Sequence, residues 1–551
     1  MESAHGEGST VAGGGAEPQQ LFVRRSTGLV REASALDATI FNAVFSAPVG
    51  ATLAWGVFFA LSAFPGSDLV AATVIAFFLN IPVLIMMSLM ASAMPRTGGD
   101  YVWVSRILSP PLATVSNFGA AFSAIIGATF WARYFPVFAL GPILATLGVI
   151  FNKPGLVDWG NKFQTEKGWI FAGGMFMVVL MTAILIAGTK RTFRWQNTFW
   201  TIASIGTFIA FIVLIFGSSS SFQSHFNSLA HSFGASGDVY HRIVASAPAT
   251  SAHTSNLSST VPAVFVIMVF MMWNWWSVYL SGELKSASNR NRQASIMFGA
   301  LVWDVVFLVI GVLLIYKVAG YAFMSGVNNG AAAYTIPTGP WYHFLASLVY
   351  DNKVLTVIIV GSFLFWSLPA MVGNTFMPVR TVFAWSFDRL LPEKLAEVNE
   401  RTHSPVPAIL LVMVIVTAML VWSVLATTFQ TWLALGVLAG VICVWIVSIA
   451  AFVFPDRRRE LYEASPANVS VAGIPLLKIV APLSFAVMCF LVFETLKYPA
   501  LAIGTSAHWW YVPVFMGATA AFGLAVYYVA RLVRRDQGID VDLVYQELPP
   551  D

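Results

Sequence analysis

From Leu36 almost to its last residues, the chain repeats one pattern: a long apolar run, a short polar break, another apolar run. The runs lie near residues 36–61, 69–94, 113–140, 169–188, 196–217, 261–284, 295–319, 354–386, 408–427, 430–454, 476–496 and 509–531. A hydrocarbon core about 30 Å thick is crossed by about 20 apolar residues of helix. Runs of this length exceed any strand, and lipid accepts only structures that satisfy their own backbone N–H and C=O groups. The pattern therefore predicts an all-α integral membrane protein of twelve transmembrane spans.

Composition agrees. Of 551 residues, 58% are hydrophobic and only 10% charged, against roughly 25% charged in soluble domains. The few Lys and Arg orient the spans, because cytoplasmic loops hold the excess. With the amino terminus inside, Arg96 and Arg106 follow span two, Lys190 and Arg191 span four, Lys285, Arg290 and Arg292 span six. Arg389 follows span eight, Arg457 to Arg459 close span ten, and Arg534 and Arg535 close span twelve. One span more or fewer would scramble this alternation, so both termini of a cell-membrane protein are expected in the cytoplasm. The net charge of +4 arises in these loops and gives no reason to expect nucleic acid as a partner. Cys443 and Cys489 lie in apolar runs and read as small core residues.

No secretory leader is visible. Residues 1–30 read as a disordered cytoplasmic tail, 31–535 as the membrane domain and 536–551 as an acidic C-terminal tail. Two candidate repeats of opposite topology, 36–217 and 261–454, are followed by two extra helices, 476–531. In that pairing span three precedes a long outer segment (141–168) and span eight a comparable inner one (387–407). Residues 218–260, rich in Ser and His, read as a mobile outer loop. Their His lack metal-ligand spacing, so no metal or other cofactor is expected, and Asn256-Leu257-Ser258 matches a glycosylation sequon. The stretch from Asp388 to Pro407 reads as a short amphipathic helix on the inner face.

Membrane carriers often hold solute where two helices break near the bilayer midplane, exposing backbone groups and helix-dipole charge. Span one offers Phe45-Ser46-Ala47-Pro48-Val49-Gly50, which is equally a simple proline kink. Span six offers Met271-Met272-Trp273-Asn274-Trp275-Trp276. There the amide of Asn274 needs a partner, either a helix or a ligand. Trp273, Trp275, Trp276 and Tyr279 lie too deep for an interfacial belt and suit the lining of a cavity. Asp304 is an intramembrane carboxylate, costing about 2.5–3.5 kcal/mol on insertion scales, and is either functional or the partner of a nearby polar group. Gly436 and Gly440 form a GxxxG in span ten, for close packing or dimerisation, and leave monomer and homodimer open. The chain has no Walker lysine loop, no HExxH or GxSxG, and no filter or charged-ring motif. ATP-driven pumps, enzymes and channels thus fit less well than a secondary carrier.

Three inner segments carry a family resemblance. After span two comes Met94-Pro95-Arg96-Thr97-Gly98-Gly99-Asp100-Tyr101, then Arg106; after span six, Gly282-Glu283-Leu284-Lys285 with Asn289-Arg290-Asn291. From Arg380 the chain reaches Phe383-Ala384-Trp385-Ser386-Phe387-Asp388-Arg389-Leu390-Leu391-Pro392. The set resembles, in order, signatures of the amino acid–polyamine–organocation superfamily, though a proline is missing after Lys285 and Arg389 replaces a glycine. The resemblance implies a five-plus-five inverted repeat with two extra helices, spans one and six unwound at their centres. It implies a substrate carboxylate held by N–H groups and an amine held by carbonyls. Carried onto this chain, the site is Ser46, Ala47, Pro48, Val49, Gly50, Met271, Met272, Trp273, Asn274 and Trp275, joined by Gly373 and Asn374 of span eight. Trp273 stands where the family has a small glycine. Gly98, Gly99 and Tyr101 would belong to an inner gate. The implied function is a secondary active permease for amino acids, alternating in access and either coupled to H+ or Na+ or exchanging substrates. The alternative is a carrier of polyamines or other organic cations. Span five, Gln196 to Gly217, lacks the lysine that some relatives use for protons, which leaves Asp304 as the coupling candidate.

Overall fold

The computed structural model describes residues 29, 31–45, 49–248, 256–426, 429–498 and 509–546. Among them, 11 helices are long and apolar enough to cross a membrane. They run from Leu69–Ala93 (span two) to Tyr511–Asp536 (span twelve) and match eleven of the twelve expected runs. In span one the described residues hold two shorter apolar helices, Ala35–Phe45 and Thr52–Ala63.

The outer spans keep a lipid face and a protein face. On span seven (Arg290–Val318), Val302, Val306, Ile310 and Leu313 are exposed in one helical stripe, while Asp304, Leu308, Gly311 and Ile315 are buried on the other. Such stripes would be an aggregation surface in water and are the solvated surface in lipid. The interior is mostly apolar but also holds polar side chains, with Asn80, Thr114, Asn117, Thr192, Thr207 and Asn274 all at 0% exposure. Helix starts follow ordinary capping chemistry: Asp68 accepts from Val70 and Ala71 N–H, Asn289 from Arg292 N–H, and Asn352 from Leu355 N–H.

Span three (Pro110–Ile150) extends ten residues past the expected boundary at 140, turning π-helical over Phe135–Leu140. It packs against spans eight (Lys353–Phe387), nine (Val406–Leu425), ten (Phe429–Arg457) and twelve. Arg133, within it, donates to the Ser423 carbonyl of span nine.

The segment between spans five (Thr189–Phe216) and six differs from the expected loop. It forms helices Ser219–Ser232 and Val239–Ala245. Phe222 and Phe226 stack at 5.9 Å and meet Phe323 edge-on, while Tyr240 stacks on Phe323 at 5.1 Å. Residues 154–165 are also helical. Conversely, the expected amphipathic helix after span eight is a single 3-10 turn, Glu393–Ala396, because Pro392, Pro405 and Pro407 bound the segment.

Candidate functional site

Span six (Leu257–Leu280) is helical from Leu257 to Met271, turns at 272–275, and resumes as a 3-10 helix over Trp276–Leu280. The hydrogen-bond register changes with it: Met272 N–H still reaches Met268 O four residues back, but Trp276 reaches Trp273 and Val278 reaches Trp275, three back. Two indoles stand in for the lost ladder. Trp273 Nε1–H donates to Val269 O at 3.1 Å, and Trp275 Nε1–H donates to Met272 O at 2.9 Å. The large aromatic side chains, poor helix formers, thus cap the end they interrupt.

In span one the described residues are helical over Ala35–Phe45 and over Val49–Ala51, running on as a π-helix over Thr52–Gly56. Ser46, Ala47 and Pro48 lie outside the described residues. The Phe45 carbonyl is met by Asn374 of span eight, whose Nδ2–H donates at 2.6 Å. A Cβ on Gly373 would lie 3.2 Å from Phe45 Cα, so the glycine permits this approach. Gly50 is covered by the Trp366 indole, which itself donates to Thr207 Oγ1 at 2.9 Å.

Spans one and six touch. Asn42 Nδ2–H donates to Ser277 Oγ at 3.0 Å, and Asn42 Oδ1 accepts from Ser277 N–H at 2.8 Å. Phe45 stacks on Trp276 at 4.2 Å, and Trp276 on Trp275 at 5.0 Å. Asn274, on the turn, donates to Asp304 Oδ2 at 2.7 Å. The two polar residues singled out in spans six and seven are therefore partners. Asn274 Oδ1, Asp304 Oδ1 and Trp276 Nε1 are buried with no hydrogen bond from the protein. Together they offer two acceptors and a donor beside the break. Trp273 fits its position because Gly440 of span ten leaves room: a Cβ there would be 2.3 Å from its Cη2. Met271 and Met272 are buried.

Gly98, Gly99 and Tyr101 do not join this group directly. They form the loop under the 3-10 part of span six. Gly99 has φ +51, and a Cβ on it would lie 3.0 Å from Val278 and 3.1 Å from Tyr279. Asp100, which sequence reasoning passed over, ties the loop to span six. Its carboxylate accepts from Tyr279 OH at 2.6 Å, Asn117 Nδ2 at 2.7 Å and Ser116 Oγ at 2.5 Å. Burial raises its pKa above the ordinary carboxylate value, against the lowering pull of these donors. Past span six, Glu283 and Arg380 make a buried bidentate pair at 2.6 and 2.9 Å, with Thr189 donating to Glu283 at 2.6 Å. Glu283 O also accepts from Ala33 N–H at 3.0 Å, which pins the chain before span one. Asn42 was missed as well, although a lone amide in an apolar run carries the same signal as Asn274. Among the described residues no group of His, Cys, Asp or Glu is arranged to hold a metal ion.

A many-span helical bundle whose span six is interrupted at a buried polar cluster is the architecture of a membrane carrier. Residues 38–519 match the family model described as amino acid permease, and the chain belongs to that family, within the amino acid–polyamine–organocation superfamily. No curated protein matches the chain. It is thus a multi-pass membrane protein of a transporter family.

Proposed function

We propose that this protein is a secondary active permease that moves amino acids across the cell membrane by alternating access. The observation that carries the reading is the turn at 272–275, where Asn274 and Asp304 meet with one oxygen each left over. A zwitterion needs both signs of partner. The Asp304 carboxylate and the carbonyl end of helix Leu257–Met271 suit an ammonium group. The break expected from the sequence in span one, just before Val49 and Gly50, suits a carboxylate through backbone N–H groups and helix dipole. Trp273, wedged into the Gly440 seat, limits the space and selects small substrates. Asp304 would also be the coupling group, taking H+ or a monovalent cation when substrate is absent. One buried carboxylate balances one ammonium, which disfavours the polyamine alternative.

The two halves of the molecule that must move are joined at the 3-10 helix Trp276–Leu280. Its Ser277 holds span one through Asn42 and its Tyr279 holds the Gly98–Tyr101 loop through Asp100. Rocking that element opens or closes the site to the face carrying the loop, which is the cytoplasmic face expected from the Lys and Arg placement. The test is a thermal-shift screen of purified protein against the twenty amino acids and common polyamines, with pH and sodium varied, since a selective ligand stabilises by mass action. A graded rise with a subset of amino acids is expected, lost in Asn274→Ala. No response to any amine-bearing compound would overturn the reading.

A further inference from the structure

We propose that Tyr545, carried on the C-terminal turn, is a gating residue that holds the Gly98–Tyr101 loop closed and must lift before span six can open to that face. The inference rests on the carrier reading above. Residues Val541–Gln546 form a 3-10 turn in which Val541 and Val544 are 1% exposed and Tyr545 is 6% exposed. These three apolar positions, in an otherwise acidic stretch, are docked rather than solvated.

Tyr545 makes the contact with the loop. Its hydroxyl meets that of Tyr101 at 2.9 Å, and the two rings lie edge to face at 6.3 Å. The Arg106 guanidinium lies 5.2 Å from the centre of the Tyr545 ring and donates to Val544 O at 3.5 Å. The same Arg106 is 3.7 Å from Asp388 at the end of span eight. At its other end the turn is anchored to span twelve, where Tyr527 OH donates to Asp542 and Arg531 pairs with it at 2.9 Å.

The turn therefore bridges span twelve to the short helix Asp100–Ile107. Asp100 opens that helix and holds Tyr279 of span six, so whatever fixes the helix fixes the lower half of the broken span. Moving Trp276–Leu280 away from the Gly98–Gly99 backbone requires the helix to follow or Asp100 to release. Both Tyr101 and Arg106, which the turn grips, are on that helix. The contacts are a ring edge, a hydroxyl pair and a guanidinium face, each weak enough to break and remake within a transport cycle.

The protein contains its own reporter. Cys443 is buried on span ten, close to Asp100, Ser116 and Tyr279, in the seam that must part. In a Cys489→Ser background it is the remaining cysteine. The test compares the full chain, Tyr545→Phe, Tyr545→Ala and a chain ended at Asp540, all in liposomes. N-ethylmaleimide modification of Cys443 is followed alongside initial uptake of a radiolabelled mixture of the twenty amino acids. Modification is expected to be about 3–10 times faster in Tyr545→Ala and the shortened chain, with Tyr545→Phe between, because the ring but not the hydroxyl remains. Equal or slower modification in a variant that elutes as a single folded species would overturn the proposal. Faster modification with no uptake by any form would leave the strap standing and sink the amino acid reading instead.

Discussion

Gly440→Ala gives the sharpest test of how Trp273 is seated. A Cβ at 440 lies 2.3 Å from Cη2 and 2.7 Å from Cζ3 of the indole, and 3.3 Å from Ser123 Oγ. Carbon atoms rest at about 3.5–4.0 Å, so the ring must withdraw by about 1 Å. It has little freedom to do so, because Nε1 is bonded to Val269 O at 3.1 Å and the ring faces Trp276 at 5.4 Å. Overpacking of this kind costs roughly 1–3 kcal/mol. Against it stands the helix propensity of Ala over Gly, about 0.8–1 kcal/mol in a helix interior. The clash wins, and the net effect is a loss of about 1 kcal/mol. Gly517→Ala is the control, for it lies inside span twelve with nothing within 4 Å of its Cβ and receives the propensity gain alone. Thermal unfolding in detergent should move the two variants in opposite directions. A double-mutant cycle with Trp273→Phe should return a coupling of about 1–3 kcal/mol, the clash itself. If Gly440→Ala is stabilised as much as Gly517→Ala, the indole is not lodged against span ten and the size limit on substrate falls with it.

Three further outcomes follow from single residues. Asp304→Asn keeps a hydrogen-bonding group beside Asn274 but removes the charge, and amino acid uptake should drop about tenfold or more, with insertion intact; full uptake would remove Asp304 from the mechanism. His343 lies under Phe363 with both ring nitrogens buried and unpartnered, and burial pushes its pKa down to about 3. The unfolded chain, titrating near 6.5, takes up this proton first, so the stability is complete above pH 6.5 and declines as pH falls toward 3. Melting temperature should therefore fall between pH 7 and 5, and His343→Phe should flatten that fall; an identical slope in the variant would refute the assignment. Arg380→Ala strands the buried Glu283 carboxylate, at a cost of about 3–5 kcal/mol, and should abolish a monodisperse preparation that Arg380→Ala with Glu283→Gln partly restores.

What the sequence exposed depended on whether a feature was local. Apolar runs long enough to span a bilayer are local, so spans two to twelve were legible as elements, though span three runs ten residues past its expected end, and Asn274 and Asp304 stood out against their neighbours. Their pairing was not legible, because it joins residues thirty positions apart across a loop. The bond from Asn374 to Phe45 O is separated by 329 positions and depends on Gly373 and Gly127 admitting it. The segment 218–260 was misjudged because Ser218 to Ser221 mask the spacing of Phe222, Phe226 and Ala230, which recur every four residues and are all buried. Asp100 was hidden inside a motif read for its glycines. The Trp273 departure was visible, but its remedy, a glycine on span ten, was read only as a packing motif.

On the carrier reading, the interruption of span six does two things that a continuous helix cannot. A continuous helix satisfies its own carbonyls and presents no polar atom to a solute. Here the register change at 272–275 places Asn274 beside Asp304, and indoles rather than lipid meet the carbonyls of Val269 and Met272. The second consequence is mechanical. Trp276–Leu280 is joined to the first half only through a turn, so it can tilt without unfolding Leu257–Met271. Ser277 transmits that tilt to span one and Tyr279 to the Gly98–Tyr101 loop, two residues apart on one short helix. Because a 3-10 helix repeats every three residues, side chains two apart point well away from each other, so one holds the site while the other holds the gate. A single Ser277→Ala should loosen the first grip and leave the second, weakening substrate affinity without speeding Cys443 modification. If instead both readouts change together, the two grips are not separable and the hinge belongs elsewhere.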